Sequence, residues 1–238
     1  VTAWSYDIKS HRTQKLNVPV DADGYLPRIL ATDNADQVLV YAMNRHQDIL
    51  NIYTVNPRST VAKLLVKESV PKYVKEEAME NILIGADYLL LPSDRDGYMH
   101  LYVYNRNGQL LRKVAPGNYD ITQVYGLDSS NGDIYYQAAG LTPHDRQIYV
   151  AHKNGKTERL TTQEGWNSAI FSGDFKYFIN TSSDYNTPYV YTTRDNNGKV
   201  IATNVDNKEL RDKMSQYGFS KRETFSFTTS EGIKLDGW

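Results

Sequence analysis

The sequence predicts an all-β fold made of repeated four-stranded sheets, and two observations indicate it. Five segments share a pattern of strand, tight turn and strand, and their common tyrosines are Tyr6, Tyr53, Tyr102, Tyr149 and Tyr191. Successive tyrosines are 47, 49, 47 and 42 residues apart. The segments are also rich in β-branched and aromatic residues, as strands are. Short strands repeating every 40–50 residues or so are typical of β-propeller blades. We therefore predict a partial β-propeller over residues 1–204.

The first element is a half-blade at residues 1–20, with strands predicted at 3–8 and 14–18. We expect these to be the outer two strands of a blade whose inner strands lie upstream. Four complete blades are predicted to follow, at residues 25–68, 81–116, 121–162 and 167–203. The predicted strands of the first blade are 28–31, 37–42, 50–55 and 61–67, and those of the second include 100–104 and 110–114. The third blade has predicted strands at 123–126, 133–138, 147–152 and 156–161. The fourth has predicted strands at 168–171, 177–181, 188–192 and 199–203.

The second blade contains the clearest motif, SDRDGYMHLYVYNRNGQLLRKV at 93–114. SDRDG is a cluster of turn-forming residues in which Gly97 supplies a positive φ. The Asn107-Gly108 dipeptide predicts a type I′ hairpin, which needs positive φ at both central residues. Asn154-Gly155 and Asn197-Gly198 predict the equivalent turns of the third and fourth blades.

The connection between the first two blades breaks the pattern, because Lys67–Glu80 is charged and long. Long loops on a regular scaffold often carry function. A solvated insertion or a short helix is the alternative. The adjacent carboxylates of Glu76 and Glu77 could hold a cationic amine, or they could belong to a solvated face.

The repeat ends at a predicted linker helix at 205–220, centred on Asp206–Gln216. Leu210 and Met214 share one face of this helix at i, i+4 spacing, and Gly218 lies where a helix would stop. Residues 221–238 then predict a hairpin, with strands at 224–228 and 233–238. Because the chain starts at Val1 and stops at Trp238, directly after a strand signal, we expect it to be a piece of a longer protein.

Composition excludes several function classes. A net charge of −1 gives no basic field for nucleic acid. No apolar run approaches the length that spans a bilayer. Cysteine is absent, which excludes disulfides, thiol catalysis and thiolate metal sites. The hydrophobic fraction of 40% is enough to form a core.

The sequence shows no catalytic motif. It has no G-x-S-x-G nucleophile elbow, no phosphate-binding glycine loop and no dinucleotide fingerprint. The histidines form no metal-binding pair, and we expect neither a metal nor a cofactor; they are His11, His46, His100, His144 and His152. Asp94 and Asp96 could suggest a calcium loop, but the EF-hand spacing is absent and turn chemistry explains them.

The residues alone leave the function open. A stand-alone binding propeller of the TolB-like type is one reading, although such a chain would end at its last blade. A propeller glycosidase is another, and it would need acidic residues converging on a central channel.

Several motifs resemble the dipeptidyl peptidase IV family of serine peptidases, in the versions found in Bacteroidetes-type bacteria. They include TAWSYDIKS at 2–10, SDRDGYMHLY at 93–102, DNKELRDKM at 206–214 and TFSFTTSEGIKLDGW at 224–238. In that family the last two mark the exit from the propeller into an α/β-hydrolase domain. The resemblance therefore implies that 221–238 begins that domain.

The resemblance implies a parent with an eight-bladed propeller that releases X-Pro or X-Ala dipeptides from peptide N-termini. The catalytic Ser, Asp and His would lie beyond Trp238, and the glutamate pair that binds the substrate amine would lie before Val1. The fragment would be inert alone, while its parent would be a homo-oligomer exported to the periplasm or cell envelope. Peptides would be the partners, without nucleic acid or a membrane-spanning segment.

The resemblance also implies substrate-proximal residues in this chain. In the family, the loop entering the SDRDG-bearing blade approaches the extended substrate pocket, which here indicates Tyr73 and Lys75. Because an interrupted propeller leaves blade faces open, we also predict either dimerisation through those faces or a soluble arc of blades. Size-exclusion chromatography with light scattering distinguishes the two, and a strictly monomeric species at high concentration contradicts dimerisation.

Overall fold

The computed structural model describes residues 1–114, 117–140 and 142–238, without the side chain of Glu77. The described residues form antiparallel sheets, four of which have four strands each. The chain divides into two compact units, Val1–Ile121 and Thr122–Trp238, which are described separately.

The first unit contains a two-stranded hairpin and two four-stranded meanders. The hairpin pairs β1 (Trp4–Asp7) with β2 (Arg12–Lys15). The first blade has β3 (Ile29–Ala31), β4 (Val38–Met43), β5 (Ile49–Val55) and β6 (Ala62–Ser69). After α1 (Glu76–Glu80), the second has β7 (Leu83–Ile84), β8 (Tyr88–Ser93), β9 (His100–Asn105) and β10 (Leu110–Val114).

The middle strands of each meander in this unit are buried on both faces. β8 is buried from Leu89 to Ser93 and β9 from His100 to Tyr104. Such strands are near-continuously apolar rather than alternating, because neighbours cover both faces of the sheet. One apolar cluster joins the two blades through Leu39, Leu50, Leu91 and Tyr102. A second joins the first blade to the hairpin through Ala3 and Leu16.

The second unit contains two further meanders, a helix and a hairpin. The third blade has β11 (Ile121–Asp128), β12 (Asp133–Ala138), β13 (Gln147–Ala151) and β14 (Thr157–Arg159). The fourth has β15 (Trp166–Phe171), β16 (Tyr177–Ser183), β17 (Val190–Asp195) and β18 (Val200–Val205). α2 (Lys208–Gln216) follows, and then β19 (Phe225–Thr228) pairs with β20 (Lys234–Gly237).

An aromatic cluster packs the two blades of this unit together. The Tyr135 ring stacks on Phe175 with centroids 5.1 Å apart, and Phe171 lies 4.8 Å from both Tyr135 and Phe178. Arg194 is also buried here, and its Nη2 has no hydrogen-bond partner among the described residues. Burial lowers the pKa of this guanidinium, since charge is costly in an apolar site.

The hairpins predicted from the three Asn-Gly pairs are present, but their turns are not of type I′, because only the glycine of each pair has positive φ. At the tip of the second blade only Gly108 has positive φ, at 83°, and Asn105 pairs with Gln109. The loop therefore has three residues and ends in a left-handed glycine, the other common hairpin type. The glycine is also needed for close packing, because a Cβ on Gly108 would lie 2.0 Å from the carbonyl oxygen of Leu65. Gly198 has the same φ of 83°, and a Cβ added to it would lie 2.1 Å from the carbonyl oxygen of Leu160.

The all-β, partial-propeller prediction is confirmed. The observed strands overlap the predicted strands of all four blades and of both hairpins, with ends that differ by a few residues. The predicted end of the second blade at Pro116 lies outside the described residues. The predicted helix begins at Lys208 rather than Asp206, because Asn207 has a left-handed backbone with φ 51°. No described helix combines the length and apolar character that a membrane crossing requires.

Candidate functional site

The connection between the first and second blades is fixed by burial rather than solvated. Val70, Val74 and Ala78 are buried and pack in the apolar cluster of the two blades. The backbone N–H of Val74 donates to the carbonyl oxygen of Gln47 at 2.8 Å, and that of Val70 donates to Asp48 at 3.0 Å. The alternative of a solvated insertion or a short helix is therefore confirmed in its helical form by α1, and buried apolar residues anchor the connection to the blades.

Helix α1 is also tied to the first blade by charge. Arg28 Nη2 lies 3.3 Å from a carboxylate oxygen of Glu76 and 3.2 Å from one of Glu80. Glu76 thus has a cationic partner within the chain. The side chain of Glu77, the other member of the predicted carboxylate pair, lies outside the part of the chain that the structure describes.

Tyr73 and Lys75, the two predicted substrate-proximal residues, flank the buried Val74. Tyr73 is 59% exposed, which is high for a tyrosine held between ordered neighbours. Lys75 Nζ lies 3.0 Å from Asp94 Oδ2, so Lys75 bridges the connection to the SDRDG turn. The structure therefore presents an aromatic side chain to solvent from a rigid support, with a cation beside it.

The SDRDG turn joins the second and third strands of the second blade. Gly97 has φ 97°, as predicted, and its N–H donates to the Asp94 carbonyl at 2.9 Å. The Arg95 guanidinium lies 4.1 Å from the centre of the Tyr102 ring and donates to the Tyr104 hydroxyl at 3.0 Å. Stacking and hydrogen bonding together hold Arg95 against the blade.

A buried carboxylate completes this network. Glu68, at the end of the first blade, is 2% exposed. Its two oxygens accept hydrogen bonds from the Ser93 hydroxyl, at 2.5 Å, and from Arg95 Nη2. Burial raises the pKa of Glu68, and the bonds from Ser93 and Arg95 oppose that shift. The pair links the SDRDG turn to the preceding blade.

The second aspartate of the turn is held at the surface. Asp96 accepts hydrogen bonds from Lys113 Nζ and from the Tyr102 hydroxyl, the latter at 2.5 Å. These two donors lower the pKa of Asp96. Asp94 and Asp96 are thus engaged by Lys75 and Lys113, and the described residues contain no cluster of ligands suited to a metal ion.

Topology explains why these elements meet. The chain reverses at every strand of a meander, so the entry to β7 and the turn between β8 and β9 lie at the same edge of the sheet. Tyr73 and the SDRDG turn therefore share one edge of the second blade. The arrangement offers a ligand an aromatic face and fixed charges, and the contact between the Ser93 hydroxyl and the Glu68 carboxylate is buried away from solvent.

Sequence reasoning missed Glu68 and Arg95. Val66, Glu68 and Val70 alternate along one strand and share a face, so an inward-facing carboxylate could have been read from the period of two. Arg95, between the two aspartates of a turn motif, carried no such signal.

A cavity of about 790 Å³ in the second unit was not predicted. It is lined by turn residues of the third and fourth blades and by the segment that follows α2, and the lining includes His144, Arg146, Trp166, Tyr185 and Arg222. The Arg146 guanidinium lies 4.8 Å from the centre of the Trp166 ring. The cavity carries groups of both charges and contains no catalytic constellation.

His100, in β9, and His152, directly after β13, each contact another residue of the chain. His100 Nε2 lies 3.1 Å from the Gly117 carbonyl oxygen. His152 Nδ1 lies 2.8 Å from Asp133 Oδ2. His100 Nδ1 is buried and has no hydrogen-bond partner among the described residues.

The four-stranded antiparallel sheets define the class of the protein, a partial β-propeller. The family model for the dipeptidyl peptidase IV N-terminal region matches residues 1–189. The chain therefore belongs to the dipeptidyl peptidase IV family.

Solved structures and curated relatives agree with this assignment. The crystal structure of Porphyromonas gingivalis dipeptidyl peptidase 4 superposes with a TM-score of 0.92 at 33% identity, covering 99% of this chain and 34% of that one. A putative dipeptidyl aminopeptidase IV from Bacteroides ovatus shares the fold, with a TM-score of 0.78 at 19% identity, covering 97% of this chain and 36% of that one.

Among curated proteins, a probable dipeptidyl peptidase 4 from Aspergillus clavatus is 26% identical over 215 residues. The match covers 86% of this chain and 28% of the relative. The dipeptidyl peptidase 4 of Arthroderma otae is 26% identical, with 84% and 27% covered. The chain thus spans less than a third of the length of these relatives.

Proposed function

We propose that this chain is the substrate-gating and substrate-selecting propeller region of a serine dipeptidyl peptidase that releases N-terminal X-Pro and X-Ala dipeptides. The observation that carries the proposal is the superposition of 99% of the chain on a dipeptidyl peptidase 4 at 33% identity. A stand-alone binding propeller receives no support from the comparisons.

In this proposal Tyr73 contacts the peptide and Lys75 supports it. The buried Val74 and its bond to Gln47 hold the backbone beside Tyr73, so little backbone freedom is lost when a ligand stacks on the ring. Lys75 Nζ lies 3.0 Å from Asp94 Oδ2. We propose that it fixes the connection to the SDRDG turn and adds positive charge near the bound peptide.

The activity is tested on the full-length protein that contains this chain. We expect it to hydrolyse Gly-Pro-p-nitroanilide, to leave N-acetyl-Gly-Pro-p-nitroanilide intact, and to be inactivated by a serine-directed fluorophosphonate. The 238-residue chain should be inert towards both substrates. Hydrolysis of the acetylated substrate at an equal rate, or activity of the 238-residue chain, contradicts the proposal.

The role of Tyr73 is tested by a longer peptide. Tyr73→Ala in the full-length protein should raise KM about threefold to tenfold for a hexapeptide with Pro at position two, because an aromatic contact contributes about 1 kcal/mol. The dipeptide amide should be unaffected if the ring contacts residues beyond the scissile bond. Tyr177→Ala is the matched control, since Tyr177 is also about half exposed, at 50%, and lies on a strand of the fourth blade. Equal effects of the two variants would remove Tyr73 from the site.

The exported location and the homo-oligomeric state of the parent remain predictions from the resemblance. Fractionation of the native host, probed with an antibody against this chain, tests the location. Light scattering on the full-length protein tests the oligomeric state.

A further inference from the structure

A short loop in the fourth blade is built to bind the chain segment that leaves it. This 184–189 loop joins β16 to β17. Asp184 Oδ1 accepts hydrogen bonds from the backbone N–H groups of Asn186 and Thr187, each at 2.7 Å. The aspartate therefore stabilises the loop conformation through local hydrogen bonds.

Asn186 makes a reciprocal pair with the backbone of Arg222. Its Nδ2 donates to the Arg222 carbonyl oxygen at 3.1 Å, and its Oδ1 accepts from the Arg222 N–H at 3.0 Å. A primary amide that satisfies both polar groups of one residue mimics a strand partner. These bonds join positions 36 residues apart in the chain.

The start of the exit segment is bound by the same loop. Asn207 precedes α2, where an asparagine normally accepts a hydrogen bond from the first helical turn. Here the side chain makes no cap bond, and Asn207 Nδ2 instead donates to the Tyr189 carbonyl oxygen at 2.6 Å. The backbone of Asn207 is left-handed, with φ 51°, a conformation that asparagine tolerates.

A third contact reaches the end of the chain. The rings of Tyr185 and Trp238 stack with an interplanar angle of 15° and centroids 6.1 Å apart. The helix between these contacts has no buried residue. The described exit segment is therefore held by the 184–189 loop, and not by an apolar interface of α2.

We infer that the 184–189 loop is a latch that docks the exit segment, residues 206–224, through the Asn186–Arg222 pair. The latch binds the backbone of this chain. Because Asn186 bonds to the N–H and carbonyl groups of Arg222, the contact does not depend on the side chain at position 222. The latch sets the direction in which the chain leaves the fourth blade. It depends on contacts within the second unit, so its failure would leave the proposed peptidase function untouched.

Hydrogen exchange on the 238-residue chain tests the latch directly. In Asn186→Ala the Arg222 amide should exchange about tenfold faster, because it loses its acceptor. Asn131→Ala is the matched control: Asn131 is also exposed and bonds only locally, accepting from the Asp133 N–H at 2.8 Å. Asn186→Asp, which keeps an acceptor and loses the donor, should retain part of the protection.

Trypsin gives an independent readout, because Lys221 and Arg222 lie at the docked position. Asn186→Ala should speed cleavage at 221–222 several-fold without changing the melting temperature. Asn131→Ala should give the digestion pattern of the unmodified chain. The inference is overturned if the Arg222 amide is unprotected in the unmodified chain. It is also overturned if Asn186→Ala changes neither exchange nor cleavage relative to Asn131→Ala.

Discussion

The connection that enters the second blade and the segment that leaves the fourth blade occupy equivalent positions and are held in opposite ways. Each follows a fourth strand, contains a short helix and meets a turn between second and third strands. The entering connection buries Val70, Val74 and Ala78 in a core. The leaving segment buries no residue of its helix and is held by polar contacts of the 184–189 loop.

The difference separates two uses of the same position. A connection with a buried apolar face belongs to the blades and can present a side chain such as Tyr73 in a fixed place. A segment held by a few polar contacts keeps its path but contributes little to unfolding free energy, since exposed hydrogen bonds are individually weak. The predictions below test this contrast, beginning with the largest expected effect.

Placing a charge at equivalent helix-associated positions should separate the two segments most strongly. Val74→Asp should lower the free energy of unfolding by roughly 3 kcal/mol, because it buries an unpaired carboxylate. Leu210→Asp, on the exposed face of α2, should change it by less than about 0.5 kcal/mol. Urea titration followed by circular dichroism measures both. Similar losses for the two variants would show that α2 is packed as firmly as the connection.

Removing Arg95 tests the charge network behind the connection. Arg95→Ala should cost roughly 2–3 kcal/mol near neutral pH, because it leaves the buried Glu68 without its cation. Lys113→Ala, which breaks the exposed pair with Asp96, should cost less than about 0.5 kcal/mol. Adding Glu68→Gln to Arg95→Ala should recover part of the loss.

The cost of Arg95→Ala should also depend on pH. Glu68 has a folded-state pKa above its ordinary value of 4.5, so the folded state binds its proton more tightly than the unfolded state. The contribution of Glu68 to the free energy of unfolding therefore falls as pH rises from the pKa of Glu68 in the unfolded state through its pKa in the folded state. Without Arg95 this decrease in the free energy of unfolding should be steeper. Near pH 4 the free energy of unfolding of the variant should approach that of the unmodified chain. A pH-independent penalty in urea titrations would contradict this assignment.

Breaking surface ion pairs should have the smallest effect in both segments. Arg28→Ala removes the contacts to Glu76 and Glu80 on α1, and Lys208→Ala removes the 2.6 Å pair with Asp212 on α2. Each should cost less than about 0.5 kcal/mol, because exposed pairs are weak. Thermal unfolding with matched buffers detects such shifts. A loss above 1 kcal/mol for Arg28→Ala would mean that charge, rather than apolar burial, holds α1.

Much of the fold was predictable because a blade repeats its signals. The tyrosine spacing and the alternating strands located all four meanders, and Asp133–Ala138 agrees with the observed β12 at both ends. The hairpin type was not predictable from Asn107-Gly108. The close approach of Gly108 to the Leu65 oxygen was not predictable either, because it is a contact between blades that local sequence does not encode.

The candidate site was predictable only in part. The resemblance pointed to Tyr73 and Lys75, and the strand period could have indicated an inward-facing Glu68, but its pairing with Arg95 became visible only when two blades were placed side by side. Asn186 and Asn207 look like ordinary turn and cap residues in the sequence. Their role depends on which distant backbone group lies opposite each amide, and that is a property of the tertiary structure.

Amide hydrogen exchange along the whole 238-residue chain tests the contrast most directly. We expect the Val70 and Val74 amides, bonded to the turn of the first blade, to exchange at least about a hundredfold more slowly than the amides of α2, because the former open only with the core. Protection within α2 equal to that of Val74 would contradict the account of a fixed entering connection and a leaving segment held by its latch.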